Sequence, residues 1–546
     1  MPLNREKTDR GYSAPVAWRC YDAAIIILGS AVYFKALFFG LTYLDDNLWV
    51  LDYQPFLKNL SNIFRIFAQP DPLGNFFYRP LVYLSFALNA QFGGVSPFGY
   101  HFLNILIHIV NACLVRRLFR TLEYPSGLAL SGALIFTVHP ALTQAVVWIP
   151  GRTDSLLSLF ILLSFGNFPR FLKTKKKIYL FRHILFFVFS LLTKETAVVL
   201  PVICFLYAYL MMGRKEELFE QKRPCFFSWL LIIGLWLMIR KIVLSHAGAL
   251  TVITAAQSLF ENLPALISYF GKVYFPVNLS VVPFLKDLSL TYGGIVLVGG
   301  AILLLLSKHK RMSHIYFGAC WFLLFLLPSL VLSFLKHEYR LYLPIVGCLI
   351  LLFETDILKA IIKQRRAAVI LTLGVISLFS MITFQYSNKF KDGLTFWESA
   401  VETSPHLPLA HRNLGAIYHL QKHRDKAQRE YRKALELNSK EPMAHNNLGI
   451  IYKEDRQLEL AEQFFKKEIA VNPDFAEAYF NLGLVYFEKE KYEEAAALWQ
   501  KTVELDPRFV KAYKQLAAYY LKKNDLKQFN YYTNELKTKI GGSALF

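Results

Sequence analysis

The chain has 546 residues, of which 54% are hydrophobic and 18% charged, and it carries a net charge of +21. It is too apolar for an ordinary soluble domain and long enough for two or three domains. The positive excess sits largely in short loops between apolar runs, where the positive-inside rule puts it, so no nucleic acid is expected as a partner. Cys20, Cys113, Cys204, Cys225, Cys320 and Cys348 are scattered and form no CxxC pair. They read as small packing residues and exclude a disulfide framework or a zinc site.

From the amino end, Arg5, Lys7, Arg10 and Arg19 make residues 1–21 a cytoplasmic tail ahead of a signal-anchor helix. Apolar runs of about 18 or more residues then recur from residue 22 to residue 386 and predict a many-spanning membrane body. Basic clusters fix its orientation. They are the tail, the pair Arg116 and Arg117 with Arg120, and residues 170–177, 214–223, 308–311 and 359–366. If all are cytoplasmic, each neighbouring pair encloses an even number of spans. Spans are expected at 22–42, 100–118, 127–146, 155–171, 178–192, 197–212, 226–244, 292–307, 315–335, 342–358 and 367–384. Residues 81–92 read as a helix along the outer interface, and residues 259–277 as a re-entrant or interfacial segment. About eleven spans put the amino end inside and the carboxy-terminal part outside.

Beyond residue 386 the pattern changes. Ala410, Ala444, Ala478 and Ala512 recur every 34 residues, as do Leu414, Leu448, Leu482 and Leu516. Gly415, Gly449 and Gly483 follow the leucines, and Tyr418, Tyr452, Tyr486 and Tyr520 come next. Ala427, Ala461 and Ala495 each precede an aromatic residue, Tyr431, Phe465 or Trp499. This is the helix–turn–helix pattern of the tetratricopeptide (TPR) repeat, whose stacked units form a concave surface for extended peptides or partner proteins. A passive spacer is the plainer use. A capping helix is expected at about residues 393–403, around Trp397. The organisation is all-α: tail 1–21, polytopic membrane body 22–386, linker and cap 387–409, repeats 410–546.

Polar residues that suit chemistry fall in the outward connections. Asp45 and Asp46 directly follow the first span. Adjacent carboxylates raise one pKa or recruit a cation, which suits either a base for a hydroxyl acceptor or a site for a divalent ion such as Mg or Mn. A solvated, helix-terminating acidic pair is the alternative. His139 lies at the outer end of the third span, as a structural or a catalytic histidine. Arg152 is either a two-pronged phosphate ligand or the ion-pair partner of Asp154. Lys194 and Glu195 sit between the fifth and sixth spans, as a site or as the wet tip of a tight turn. Glu338 and Arg340 lie between the ninth and tenth, with Arg340 a phosphate ligand or an interface anchor. No GxxxxGK[ST], HExxH or GxSxG motif is present, which excludes the common soluble nucleotide-driven and hydrolytic enzymes.

Seven stretches, taken in order, resemble a known family. They are Tyr43-Leu44-Asp45-Asp46, Tyr78-Arg79-Pro80-Leu81, Pro97-Phe98-Gly99-Tyr100-His101 with Asn104 and His108, and His139-Pro140 through Val146. Gly151-Arg152-Thr153-Asp154-Ser155-Leu156, Leu191-Leu192-Thr193-Lys194-Glu195 and Glu338-Tyr339-Arg340-Leu341-Tyr342-Leu343-Pro344 complete the set. Together with the repeats they resemble the transmembrane-and-TPR protein O-mannosyltransferases (TMTC family) and their bacterial homologues, within the GT-C class of glycosyltransferases. The resemblance implies transfer of a sugar, mannose or another hexose, from a polyprenyl- or dolichyl-phosphate carrier in the lipid bilayer. The acceptor would be a Ser or Thr hydroxyl of a non-cytoplasmic polypeptide. It makes Asp45 and Asp46 catalytic, and Arg79, His139, Arg152, Asp154, Lys194, Glu195, Glu338 and Arg340 the candidate substrate ligands. Gln144 departs from the pattern, since an acidic residue is frequent there. A bacterial source would put the repeats in the periplasm, a eukaryotic one in the lumen of the endoplasmic reticulum; the short array favours the former.

Two other readings compete. A membrane-anchored scaffold would use the repeats alone, but an anchor needs one span. A transporter would carry ionisable residues near mid-span and repeated halves, and neither pattern is visible.

Overall fold

The computed structural model describes residues 14–72, 76–212, 217–244, 252–331 and 337–543. Most of the basic tail, residues 214–216 of the fourth basic cluster and residues 332–335 of the ninth expected span lie outside them. The chain divides into two compact units, Met1–Asp392 and Gly393–Phe546. Both are helical.

In the first unit, six helices are long and apolar enough to cross a membrane: Cys20–Phe38, Pro97–Thr121, Ile149–Thr174, Arg223–Val243, Met312–Leu330 and Arg365–Phe390. Ser126–Val138 and Pro140–Val147, bent by 52°, make a seventh if taken as one span. The bend has a local cause, because Pro140 has no N–H to carry the helix on. The other expected spans also coincide with helices, but these are short. Lys177–Leu191 has 15 residues, Leu290–Leu306 has 17 and Ile345–Phe353 has 9, against about 20 for a straight crossing. By length and hydropathy alone, the described residues account for six or seven of the roughly eleven expected spans. In 342–358 the apolar run was broken by chemistry that hydropathy ignores. Its helix starts only after Pro344 and stops before Glu354, whose carboxylate accepts from Arg311 Nη2 at 2.7 Å and Lys359 Nζ at 2.8 Å.

The stretch 259–277 forms two helices, Val252–Asn262 and Pro264–Tyr274, of 11 residues each. Each is about 16 Å long, half the hydrocarbon thickness, so neither crosses alone.

The loop after the first span is a folded cap with its own core. Its helix Pro80–Gly93 buries Val82, Tyr83, Phe86, Ala87 and Ala90 against Trp49, Val50, Phe56 and Ile66. The Trp49 indole stacks on Phe86 at 4.5 Å. The helix expected along the interface thus has one packed face, while Leu88 and Phe92 stay exposed. Arg79 is its N-cap residue, and the following Leu81 N–H donates to the Leu192 carbonyl at 3.1 Å. The cap is thereby tied to the turn that carries Lys194 and Glu195.

In the second unit, Gly393–Thr403 buries Phe396 and Trp397 and packs on Pro408–Leu420. Four antiparallel pairs follow: Pro408–Leu420 with Arg424–Leu437, Ala444–Glu454 with Leu458–Val471, Ala476–Glu488 with Tyr492–Leu505, and Val510–Lys522 with Leu526–Ser543. Each pair turns through one left-handed residue: Lys422 (φ 64°), Arg456 (62°), Glu490 (62°) and Asn524 (60°). The repeat glycines are spacers. A Cβ on Gly449 would stand 2.7 Å from the Phe465 ring, and one on Gly483 would stand 2.5 Å from Trp499. Gly449→Val should therefore overpack the second repeat and cost about 1–3 kcal/mol, read as an earlier thermal transition of the repeat unit.

Candidate active site

The first span ends in a 3-10 turn at Phe34–Phe38, and the chain then makes an irregular loop through Asp46. Tyr43 (φ 58°) and Asp45 (φ 66°) are both left-handed. Asp tolerates that region, but for Tyr it is a strained choice that the surroundings must hold. Trp148 helps, its indole N–H donating to the Leu44 carbonyl at 3.0 Å.

The two carboxylates of the loop differ. Asp46 is 1% exposed and turns back on its own loop. Its Oδ2 accepts from the Thr42 N–H at 2.6 Å and the Thr42 hydroxyl at 2.9 Å, and its Oδ1 from the Asn47 N–H at 3.0 Å. Asp45 is half-buried, and among the described residues no hydrogen bond engages its carboxylate. Burial pushes its pKa up to about 6, and the carboxylate of Asp71 pushes the same way. Burial also lifts Asp46 to about 6, against the hydrogen bonds from Thr42, Tyr43 and Asn47. The repulsion acting on Asp45 comes from Asp71, not from the adjacent Asp46 as the sequence suggests.

Around this loop the cap, two helix ends and a helix connection deliver charge. Arg79 donates to Glu195 Oε2 from Nη2 at 3.0 Å and Nε at 3.3 Å. Burial opposes its charge, but Glu195 and Asp71 outweigh that and raise its pKa. Lys194 Nζ donates to both oxygens of Asp154, at 2.8 and 2.7 Å. Burial nevertheless lowers the Lys194 pKa, and the nearby charges of Arg79 and Arg340 add to the effect. Arg340 donates from Nη1 to the Ser329 carbonyl at 3.0 Å and makes no ion pair among the described residues. Burial works against its charge, while Tyr339, Tyr269 and Asp154 hold its pKa above the usual value. Tyr339 joins the two halves: its hydroxyl feels Arg340, Asp154, Arg79 and Asp45, and its ring lies 5.8 Å from Lys194 Nζ. The Trp148, His337 and Tyr339 rings are packed together beside it. Asp45, Asp71, Arg79, Asp154, Lys194, Glu195 and Arg340 therefore form one electrostatic cluster. Among the described residues it holds an acid without a hydrogen-bonding partner and an arginine without an ion-pair partner.

Three expected substrate ligands have other work. Arg152 is fully buried. It donates to Asn104 Oδ1 at 2.7 Å, the Ser85 carbonyl at 3.1 Å and the Tyr100 carbonyl at 2.9 Å, and lies over the Phe86 ring. It fastens the cap to the membrane helices with all three of its nitrogens engaged, and Asp154 pairs with Lys194 instead. His139 is also fully buried. Its Nε2–H donates to the Val273 carbonyl at 2.8 Å, while Nδ1 accepts from the Ala141 N–H at 3.2 Å, which fixes the bend at Pro140. Glu338 accepts from Lys272 Nζ at 2.5 Å and from the Ser280 N–H at 3.2 Å, with no exposure. Through Oε1 it holds the Pro264–Tyr274 helix, while its buried Oε2 makes no hydrogen bond among the described residues. Gln144 is likewise structural, donating to the Val281 carbonyl at 2.9 Å and lying 3.1 Å from His337 Nδ1. The sequence reading missed Asp71. The available signal was an acid held between Pro70 and Pro72 in the loop after the first span.

Comparison with known proteins agrees with the repeat organisation of the second unit and finds named transferase relatives. Tetratricopeptide repeat models match residues 408–441, 430–463 and 476–509. Protein O-mannosyl-transferase TMTC1 of Mus musculus is 29% identical over 202 residues, 34% of this chain and 21% of that protein. Protein O-mannosyl-transferase Tmtc1 of Drosophila melanogaster is 40% identical over 129 residues, 23% of this chain and 15% of that protein. The chain resembles the TMTC protein O-mannosyl-transferases. It spans about a fifth or less of the length of these TMTC relatives. A crystal structure of MamA matches with 22% identity and a TM-score of 0.27, over 30% of this chain and 95% of that one.

Proposed function

We propose that the chain is a membrane glycosyltransferase of the GT-C kind. It moves a hexose, by its relatives' names mannose, from a polyprenyl- or dolichyl-phosphate carrier to Ser or Thr of a polypeptide on the non-cytoplasmic face. The supporting observation is the convergence of Asp45 with Lys194, Arg79 and Arg340 from four separate connections. Asp45 is the general base. Raised to about 6, its carboxyl is ionised at neutral pH yet basic enough to accept a proton. As the acceptor oxygen attacks the anomeric carbon, its proton passes to Asp45 and the bond from that carbon to the phosphate oxygen breaks. The electron pair leaves with the lipid phosphate, so configuration inverts. Arg340, with donors to spare, takes the phosphate, and Lys194 adds charge from its pair with Asp154. Asp46 positions the loop, and Arg79 positions Glu195 and the cap.

A divalent ion such as Mg or Mn would fall to Asp45, because Asp46 already accepts from three donors. It would neutralise charge on the leaving phosphate. Among the described residues no group of three or more His, Cys, Asp or Glu gathers around a common point. In this reading the repeats bind the acceptor polypeptide in the same compartment: the periplasm for a bacterial protein, the endoplasmic reticulum lumen for a eukaryotic one.

The test is transfer by the full chain, reconstituted with labelled polyprenyl-phosphate mannose and Ser/Thr-rich polypeptides. Labelled polypeptide is the expected product. Its absence, with intact protein and with other hexose donors also tried, would leave the scaffold reading. Arg340→Lys should raise the donor KM by about tenfold or more with a smaller change in kcat, since a point charge replaces a planar fork.

A further inference from the structure

A second feature of the first unit involves none of the residues of the Asp45 cluster. A cavity of about 730 Å³ runs between the helices Ser126–Val138, Ile345–Phe353, Asp356–Lys363 and Arg365–Ser387. Its walls are almost wholly apolar, from Gly127 and Leu358 at one end, past Leu134 and Ile376, to Val277 at the other. The first end is the one marked by the basic clusters 116–120 and 359–366, and Arg365 lines the cavity there. Asp356–Lys363 is a short amphipathic helix that buries no residue yet turns Leu358, Ile361 and Ile362 into the cavity. Such a helix belongs at a membrane interface.

The charges at this mouth are unbalanced. Glu354 is taken by Arg311 and Lys359, and Asp356 accepts from the backbone of Lys308 and His309. Lys363, Arg365 and Arg366 are exposed and make no ion pair among the described residues. The Val277 end offers no cation among its lining residues.

We propose that this cavity holds one anionic phospholipid, its acyl chain between the helices and its phosphodiester on Arg365, Arg366 and Lys363. Apolar length with cations at one mouth is the complement of such a lipid, and basic pockets between membrane helices on the cytoplasmic side bind headgroups of this kind. The inference rests on the orientation given by the basic clusters and not on the transferase reading. The lipid would brace the bent third helix against the helix that leads out to Asp392.

The test uses the purified full chain in a neutral detergent. Phosphatidylglycerol and phosphatidylcholine are titrated separately, with retained lipid read by native mass spectrometry and Tm by thermal unfolding. One phosphatidylglycerol per chain should be retained and should raise Tm, while phosphatidylcholine should do neither. The double variant Arg365→Gln/Arg366→Gln should weaken retention by about 30-fold, the scale for two basic residues at an anionic surface. Gly127→Phe, at a position where an added Cβ meets nothing within 4 Å, should block the acyl chain at the same mouth without touching a cation. Equal retention of the two lipids, or retention unchanged in the Gln pair, would overturn the proposal. Displacement of phosphatidylglycerol by polyprenyl phosphate, with the Gln pair binding polyprenyl phosphate normally, would instead give the cavity to the donor's tail and would also overturn it.

Discussion

If the chain is the proposed transferase, Asp45→Asn should lower kcat for sugar transfer by about 10²–10⁴-fold, the usual contribution of a positioned general base, and leave Tm close to wild type. The fold survives because among the described residues nothing hydrogen-bonds that carboxylate. Its burial and the Asp71 charge raise its pKa, so replacing it with a neutral amide removes a repulsion as well as a base. The pH profile follows with a definite sign. A base works only when ionised, so wild-type transfer should rise with pH through about 6. Asp71→Asn removes the second cause of the shift and should move that rise to lower pH, by a lesser amount than burial contributes. Asp46→Asn behaves differently: it trades an acceptor of three hydrogen bonds for a weaker one, so Tm falls together with activity. A full loss of transfer in Asp46→Asn at unchanged Tm, with Asp45→Asn active, would exchange the two roles.

Lys272→Met destabilises the first unit by about 3–5 kcal/mol, the cost of leaving one member of a buried ion pair alone. Glu338 has no exposure and its Oε1 takes both Lys272 and the Ser280 N–H, so its charge has nowhere else to go. The double variant Lys272→Met/Glu338→Leu should recover much of that loss, because it removes the stranded charge along with its partner. Thermal unfolding of wild type and both variants in one detergent checks this. If the double variant is no better than the single, the two groups do not act as a pair.

How legible each part was depends on where its partners lie. The repeats were readable because their rule is local: a small residue at Gly415, Gly449 or Gly483 faces an aromatic ring within the same unit, at Tyr431, Phe465 or Trp499. Helix positions in the membrane body were readable from apolar runs. Helix lengths were not, since Pro344 and the Glu354 ion pairs cut one run to nine residues. In the site, Asp45, Lys194 and Arg340 stood out as polar residues in outward connections. The work of Arg152, His139 and Glu338 was hidden, because Asn104 and Tyr100, Val273, and Lys272 reach them from distant segments. Asp71 was hidden for the same reason, since only the folded cap brings its charge to Asp45.

Transfer to a polypeptide held by the repeats requires the acidic loop and the repeat array to face one aqueous compartment. In a background lacking the native cysteines, Tyr43→Cys beside Asp45 and Glu490→Cys in a repeat turn are both exposed positions. In sealed vesicles of known orientation, a membrane-impermeant maleimide should label both from the same side. Labelling from opposite sides would contradict the account.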